Sequence, residues 1–226
     1  MSGALSLVFE TSTPHASLVL AGPAGILAQR KFSSDRNHNA MLFEPLSELM
    51  QGENREQIGL VLVGSGPGSY SGTRVGIAAA QGVAIALGCP AVAVPSILAV
   101  PSADGGAPCL AIGDARRGSF WWARMEYSNL VSEPALCDAN ELAELVSAAV
   151  ANRHTVFSFE AADRFPLPEI LAAAVIQEFP DAGRLWKTWL AVGPETRAVW
   201  SAQIPQPLYL KPPHITPSKR APLLRP

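Results

Sequence analysis

Cysteine is scarce in this 226-residue chain: Cys89, Cys109 and Cys137 are odd in number, far apart, and nowhere form a C-x-x-C pair. That excludes a disulfide framework and a thiolate zinc site, and it points to a reducing compartment. Charge is also scarce, at 16% of residues with a net charge of −2. A protein that grips RNA alone normally presents a basic face, so any RNA is expected to be held mostly by another subunit. No apolar run reaches bilayer length, since the longest, Val75 to Leu87, is short and interrupted by Gln81 and two glycines. The histidines His15, His38, His154 and His214 have no ligand spacing, and no metal site is expected. Glycine nearly vanishes from the second half: 16 of the 18 lie at or before Gly118, and only Gly183 and Gly193 follow. Backbone-built ligand loops therefore belong to the first half. The first ten residues lack a basic n-region and a cleavable apolar segment, so no signal peptide is expected and the expected location is the cytoplasm.

What is present is a globular composition, 48% hydrophobic, in a chain long enough for one large domain or two small, closely joined ones. Leu5–Glu10, Ala16–Ala21 and Gly25–Phe32 read as three strands joined by tight turns. Leu42, Leu46 and Leu49 recur at helical spacing in Asn39–Met50, with Pro45 implying a kink or a late start. Gly59–Gly64 reads as a buried strand, Thr73–Leu87 as a helix stopped by Gly88 and Pro90, and Ala91–Val94 as a further strand. Cys109–Gly113 and Ser119–Glu126 flank the turn Asp114–Gly118. Ala139–Val150 and Pro168–Phe179 read as helices around a strand at Thr155–Phe159. This order predicts an α/β fold in which an antiparallel meander merges into parallel strands. From Ile204 onward the chain is proline-rich; it carries Lys211, Lys219, Arg220 and Arg225 with no acid, and reads as a solvated tail.

The strongest local signal is Gly64-Ser65-Gly66-Pro67-Gly68-Ser69-Tyr70-Ser71-Gly72-Thr73-Arg74. A buried strand, a glycine-rich loop and a helix start in succession aim backbone N–H groups and a helix dipole into the loop, which suits an anion. Gly66, Gly68, Ser69, Ser71, Gly72 and Thr73 are the candidate residues. The P-loop pattern fails because Thr73 rather than Lys follows Gly72, and the dinucleotide fingerprint fails because Ser71 stands where its third glycine belongs. The alternative is a purely structural tight turn needing positive φ, with Ser71 or Thr73 as N-cap. The following helix carries two small-residue stripes: Gly76, Ala80, Ala84 and Ala78, Gly82, Ala86. One stripe packs on the chain's own sheet, and the other is free for a neighbouring subunit. Asp114 and Arg116 read as a turn and salt-bridge pair, and Trp121 and Trp122 as opposite faces of one strand.

These residues resemble a known family. "GPGSYSGTRVGIAAAQGVAIALGCPAVAVPS" resembles the signature stretch of the TsaB (YeaZ) family, "LVFETSTPHASLVL" its first hairpin, "DARRGSFWWARM" its D-A-R strand turn and "PLYLK" its ending. The order is kept through most of residues 5–126. Glu10 stands where the family usually has Asp, Tyr70 and Ser71 replace Phe and Thr, Pro95 replaces a Ser, and Pro45 sits one place late. The resemblance implies an actin-like ATPase (ASKHA) type of α/β fold with two related lobes, mixed sheets and flanking helices, taken as residues 1–102 and 103–226. It implies a non-catalytic relative of the TsaD enzyme, working in the complex that transfers threonylcarbamoyl to adenosine next to the anticodon of ANN-reading tRNAs. A TsaD-like catalytic subunit and a TsaE-like ATPase are the implied partners, with a homodimer when the chain is alone. Contact would run through His38, Met41, Leu42, Pro45, Arg74, Ile77, Ala80, Gln81 and Ala84. The implied chain binds no cofactor alone, with ATP entering at the level of the complex, and meets tRNA only through the complex.

The residues themselves favour a non-catalytic role, because an actin-like kinase site needs a second-lobe glycine loop for adenosine and this second half has two isolated glycines. The rival is a free-standing actin-like ATP phosphotransferase or ATPase using Thr11, Ser12 and the Gly66 loop. A third reading, a peptidase or chaperone-like regulator drawn on Ser69, Ser71 and His38, has no oxyanion hole to support it.

Overall fold

The protein is described here by a computed structural model covering residues 5–33, 38–51, 55–127 and 129–210. Three strands open the chain, β1 (Leu5–Glu10), β2 (His15–Gly22) and β3 (Gly25–Ser33), followed by α1 (His38–Leu49), β4 (Ile58–Gly64), α2 (Tyr70–Leu87) and β5 (Ala91–Val94). A short α3 (Pro101–Asp104) leads to β6 (Cys109–Asp114), β7 (Phe120–Glu126), β8 (Asn129–Leu130) and β9 (Ala135–Cys137). Then come α4 (Ala139–Ala151), β10 (Thr155–Ser158), α5 (Glu169–Ala172), β11 (Val175–Gln177), α6 (Ala182–Ala191) and α7 (Pro194–Ser201).

The first sheet has the order β3-β2-β1-β4-β5, and the second β11-β10-β6-β7-β8, with β9 also on β7. In the first, β1–β2 and β2–β3 are antiparallel while β1–β4 and β4–β5 are parallel. In the second, β6–β7 and β7–β8 are antiparallel while β6–β10 and β10–β11 are parallel. Each sheet is thus a three-strand meander whose first strand is joined on its other side by two parallel strands. The same plan occurs twice, so the chain is a duplicated α/β fold with two mixed sheets, the arrangement that the family resemblance implies.

Strand alternation builds the layers. Leu5, Leu7 and Phe9 of β1 face α1 and α2, together with Leu42, Leu46, Ile77, Ala80 and Ala84. Val8 on the opposite face packs with Val19, Leu62, Ala182 and Leu185 under α6. The second sheet sets Leu110 and Ile112 against Leu142 and Val146 of α4. Trp121 lies in a separate cluster with Ile97, Met125 and Phe157. The two tryptophans do face opposite ways; Trp122 is half-buried against the α4 cluster, so its own lobe covers it.

Three local readings are corrected. The Pro168–Phe179 helix is a single turn, α5, followed by β11, because Val175-Ile176-Gln177 pairs in parallel with β10. The helix predicted from Thr73 starts at Tyr70, capped by Ser69 rather than Ser71 or Thr73. The stretch after residue 180 carries two helices, α6 and α7, that sequence periodicity did not reveal. Both pack on the first sheet although they follow the second in sequence. Asp181 caps α6, accepting from Arg184 N at 3.0 Å, and Ala182 N donates to Ser17 Oγ at 2.9 Å, which ties the returning chain to β2.

Candidate partner-docking face and inter-lobe cleft

The glycine-rich loop is held from below. Ser69 N donates to Ser12 O (2.6 Å), Gly66 N to Ser96 Oγ (3.0 Å), Ser96 N to Gly66 O (2.9 Å), and Thr11 Oγ1 to Gly72 O (2.8 Å). Gly66 is required because its φ is 88°, and Gly68 because a Cβ there would overlap the Ser12 carbonyl. Ser69 Oγ accepts from Gly72 N at 3.2 Å and closes the first turn of α2. Ser71, Gly72 and Thr73 therefore belong to the helix, not to the loop. Gly72 and Thr73 are buried, while Ser71 points outward with its Oγ 3.4 Å from Ser69 Oγ.

Glu10 ends β1 beneath this loop. It is fully buried, Ser12 N donates to its Oε1 at 2.7 Å, and its Oε2 has no hydrogen-bond partner among the described residues. Burial is the main cause of a raised pKa, offset in part by Ser12 and Ser96. The carboxyl is thus held by the Ser12 amide on one oxygen and enclosed beneath Gly64 on the other.

Above the loop lies a cleft of 820 Å³ between the lobes, lined by Ser12, Thr13, Gly68, Ser69, Asp114 and Glu160 among others. Asp114 is held by Arg116 at 3.2 Å and Arg164 at 3.5 Å, which bears out the turn and salt-bridge reading. Burial raises the pKa of Glu160, whose Oε2 accepts from Ser158 Oγ at 3.0 Å. The late glycines do not reach this cleft from the second lobe. Gly183 lies within α6 and Gly193 caps α7, both packed on the first sheet.

The sequence-predicted contact residues separate into two groups. Leu42, Ile77, Ala80 and Ala84 are buried in the first lobe's own core and are withdrawn as contact residues. The stripe Gly76, Ala80, Ala84 faces the sheet, and a Cβ on Gly76 would overlap Thr11 Oγ1. Met41 and Arg74 are exposed, and Pro45, inside an unbroken α1, and Gln81 are half-buried. Gln81 Nε2 donates to Pro205 O at 3.0 Å. The His38 side chain lies outside the described residues.

The second stripe is the one left open. Ala78, Gly82 and Ala86 line a groove of 940 Å³ with Phe43, Tyr70, Arg74, Val75 and Val83. Phe43 is 59% exposed and Ile85 of α2 is 82% exposed. Among the described residues, no charged side chain other than Arg74 lines this groove. An apolar trough between two helices, floored by small residues, admits another helix at short range. Among the described residues no helix is long and apolar enough to cross a membrane, and no group of His, Cys, Asp or Glu is arranged to hold a metal ion.

The family described as TsaD: tRNA N6-adenosine threonylcarbamoyltransferase matches residues 25–188, well over half of the chain. The chain is 27% identical over 126 residues to the tRNA threonylcarbamoyladenosine biosynthesis protein TsaB of Escherichia coli, covering 53% of this chain and 54% of that protein. This chain belongs to the TsaB (YeaZ) family. The Bacillus subtilis TsaB is also 27% identical, over 59% of this chain and 60% of its own length. The matches thus span little more than half the length of these curated TsaB relatives. YeaZ from Pseudomonas aeruginosa shares the fold, with a TM-score of 0.70 and 22% identity over 92% of this chain and 100% of that one.

Proposed function

We propose that this chain is a non-catalytic subunit of the complex that transfers threonylcarbamoyl to adenosine next to the anticodon of ANN-reading tRNAs. In this reading it scaffolds and activates a TsaD-like catalytic subunit, with a TsaE-like ATPase as third component. The observation that carries it is the open groove on α1 and α2, floored by Ala78, Gly82 and Ala86. The family model named for the transferase itself matches this chain. Two subunits built on related lobes can pair through equivalent helices in a near-symmetric contact, and the same face then serves a homodimer when the partner is missing.

Three features support the absence of chemistry in the isolated chain. Glu10, at the end of the first strand, is turned inward under the loop rather than toward the cleft. Asp114 is engaged by two arginines. The two glycines after Gly118 lie in α6 and at the start of α7 and bring no loop to the cleft. ATP then enters at the level of the complex, and tRNA, given the net charge of −2, is held mainly by other subunits. Reconstitution tests this. Transfer to tRNA should require this chain together with the transferase and ATPase subunits, and the pure chain should neither transfer threonylcarbamoyl nor hydrolyse ATP. Turnover by the chain alone overturns the reading.

A further inference from the structure

The described part of the stretch read from the sequence as a solvated tail, Ile204–Leu210, does not hang free. Ile204–Leu210 crosses the mouth of the cleft from the first lobe to the second. Gln81 Nε2 holds Pro205 O at 3.0 Å, and Leu208 N donates to Ser65 O at 2.9 Å, beside the glycine-rich loop. Leu210 packs on the cluster of Ile97, Trp121 and Phe157. Between them the ring of Tyr209 lies 5.9 Å from that of Tyr70, centre to centre. Pro207 to Leu210 form one wall of the cleft.

Tyr70 is the point of contact between the two surfaces, for it lines both the cleft and the docking groove. Its hydroxyl accepts from Arg74 Nη1 at 2.9 Å, and the Arg74 guanidinium carbon sits 5.0 Å from the ring centre. Arg74 is a groove residue and is exposed. Tyr209 therefore bears on Tyr70, and Tyr70 on Arg74, in one unbroken chain from cleft to groove.

We propose that Ile204–Leu210 is a strap that pre-organises the docking groove, with Tyr209, Tyr70 and Arg74 as the positioning residues. The proposal rests on the docking reading above. Seated, the strap restricts Tyr70 and, through it, Arg74 before the partner arrives. Released, both side chains regain rotamers that docking must again freeze, and affinity falls. Anything that displaces the strap from the cleft mouth is then felt at the groove, although no displaced residue touches the partner.

The test uses the full chain and its self-association, followed by sedimentation, with hydrogen exchange at the Leu208 amide as an independent readout of strap seating. Tyr209→Ala removes the ring from an exposed position, so the fold is retained, while Tyr209→Phe keeps the ring contact. Two side chains set free predict a dimer weakened about tenfold in Tyr209→Ala, together with faster exchange at Leu208, and near-normal values of both in Tyr209→Phe. Faster exchange with unchanged dimer affinity overturns the coupling and leaves the docking reading intact. Equal weakening in both variants also overturns it, since the ring would then not be the agent. Wild-type chain that stays monomeric, or a Gly82→Arg variant that dimerises as well as wild type, sinks the docking reading itself.

Discussion

At the scale of single residues, Glu10 is the substitution with physical consequences. The sequence shows only that a Glu stands where Asp is usual in the family. The structure shows where the extra methylene goes: the carboxyl reaches under Gly64, close to Ser96, fully enclosed. A buried acid with a raised pKa binds more protons folded than unfolded, so stability falls as pH rises from the ordinary value of 4.5 through the folded value. Glu160 acts in the same direction. Glu10→Gln keeps the shape and cannot ionise. Thermal melts from pH 4 to pH 8 should therefore show a flatter decline for Glu10→Gln than for wild type, with no loss of stability at pH 7. A steeper decline, or a large loss at pH 7, means that the carboxylate is charged in the fold and that its surroundings have been misassigned.

At the scale of elements, legibility followed locality. The meander, α2 and its Gly88 stop were readable because each signal lies within its own segment: alternation, a glycine-rich turn, a left-handed cap at φ 63°. Which stripe of α2 faces the sheet was not readable, because both stripes are equally small. What decides between them is tertiary: Thr11, 65 positions before Gly76 and on another loop, leaves room only for glycine there. Asp114–Arg116 was legible as a local pair, but its third member, Arg164, comes from a distant turn. The apolar face of α6 is short, Leu185, Trp186 and Trp189 after an Asp181 cap, and what it covers lies far back in the chain. It nevertheless covers the first sheet, with Leu185 fully buried against Val8 and Leu62. Leu185→Ala should cost about 2–5 kcal/mol of unfolding free energy, as for other large-to-small core changes. Denaturant titration checks it, and a loss below about 1 kcal/mol would show that α6 is loosely attached rather than part of the first lobe.

At the scale of the whole molecule, the chain is two copies of one sheet plan whose second copy is followed by a return to the first. The return path, α6, α7 and the strap, lies against the far face of the first sheet and then the cleft mouth. Among the described residues the α1–α2 groove of the first lobe is left open and apolar. The central claim is that function resides in what docks there, and the two stripes of α2 allow it to be tested with a built-in control. Gly82 faces open space, so Gly82→Arg should fold normally. It should also weaken binding of the transferase subunit by about 2 kcal/mol or more, roughly thirtyfold. Ala84→Arg forces a charge into the core and should unfold the lobe instead. The most direct measurement is the dissociation constant of this chain for the TsaD-like subunit, wild type against Gly82→Arg, with melting curves confirming that both are folded. The account predicts a complex in wild type that is lost or weakened at least about thirtyfold in the folded variant. A folded Gly82→Arg chain that binds the transferase as tightly as wild type would contradict it.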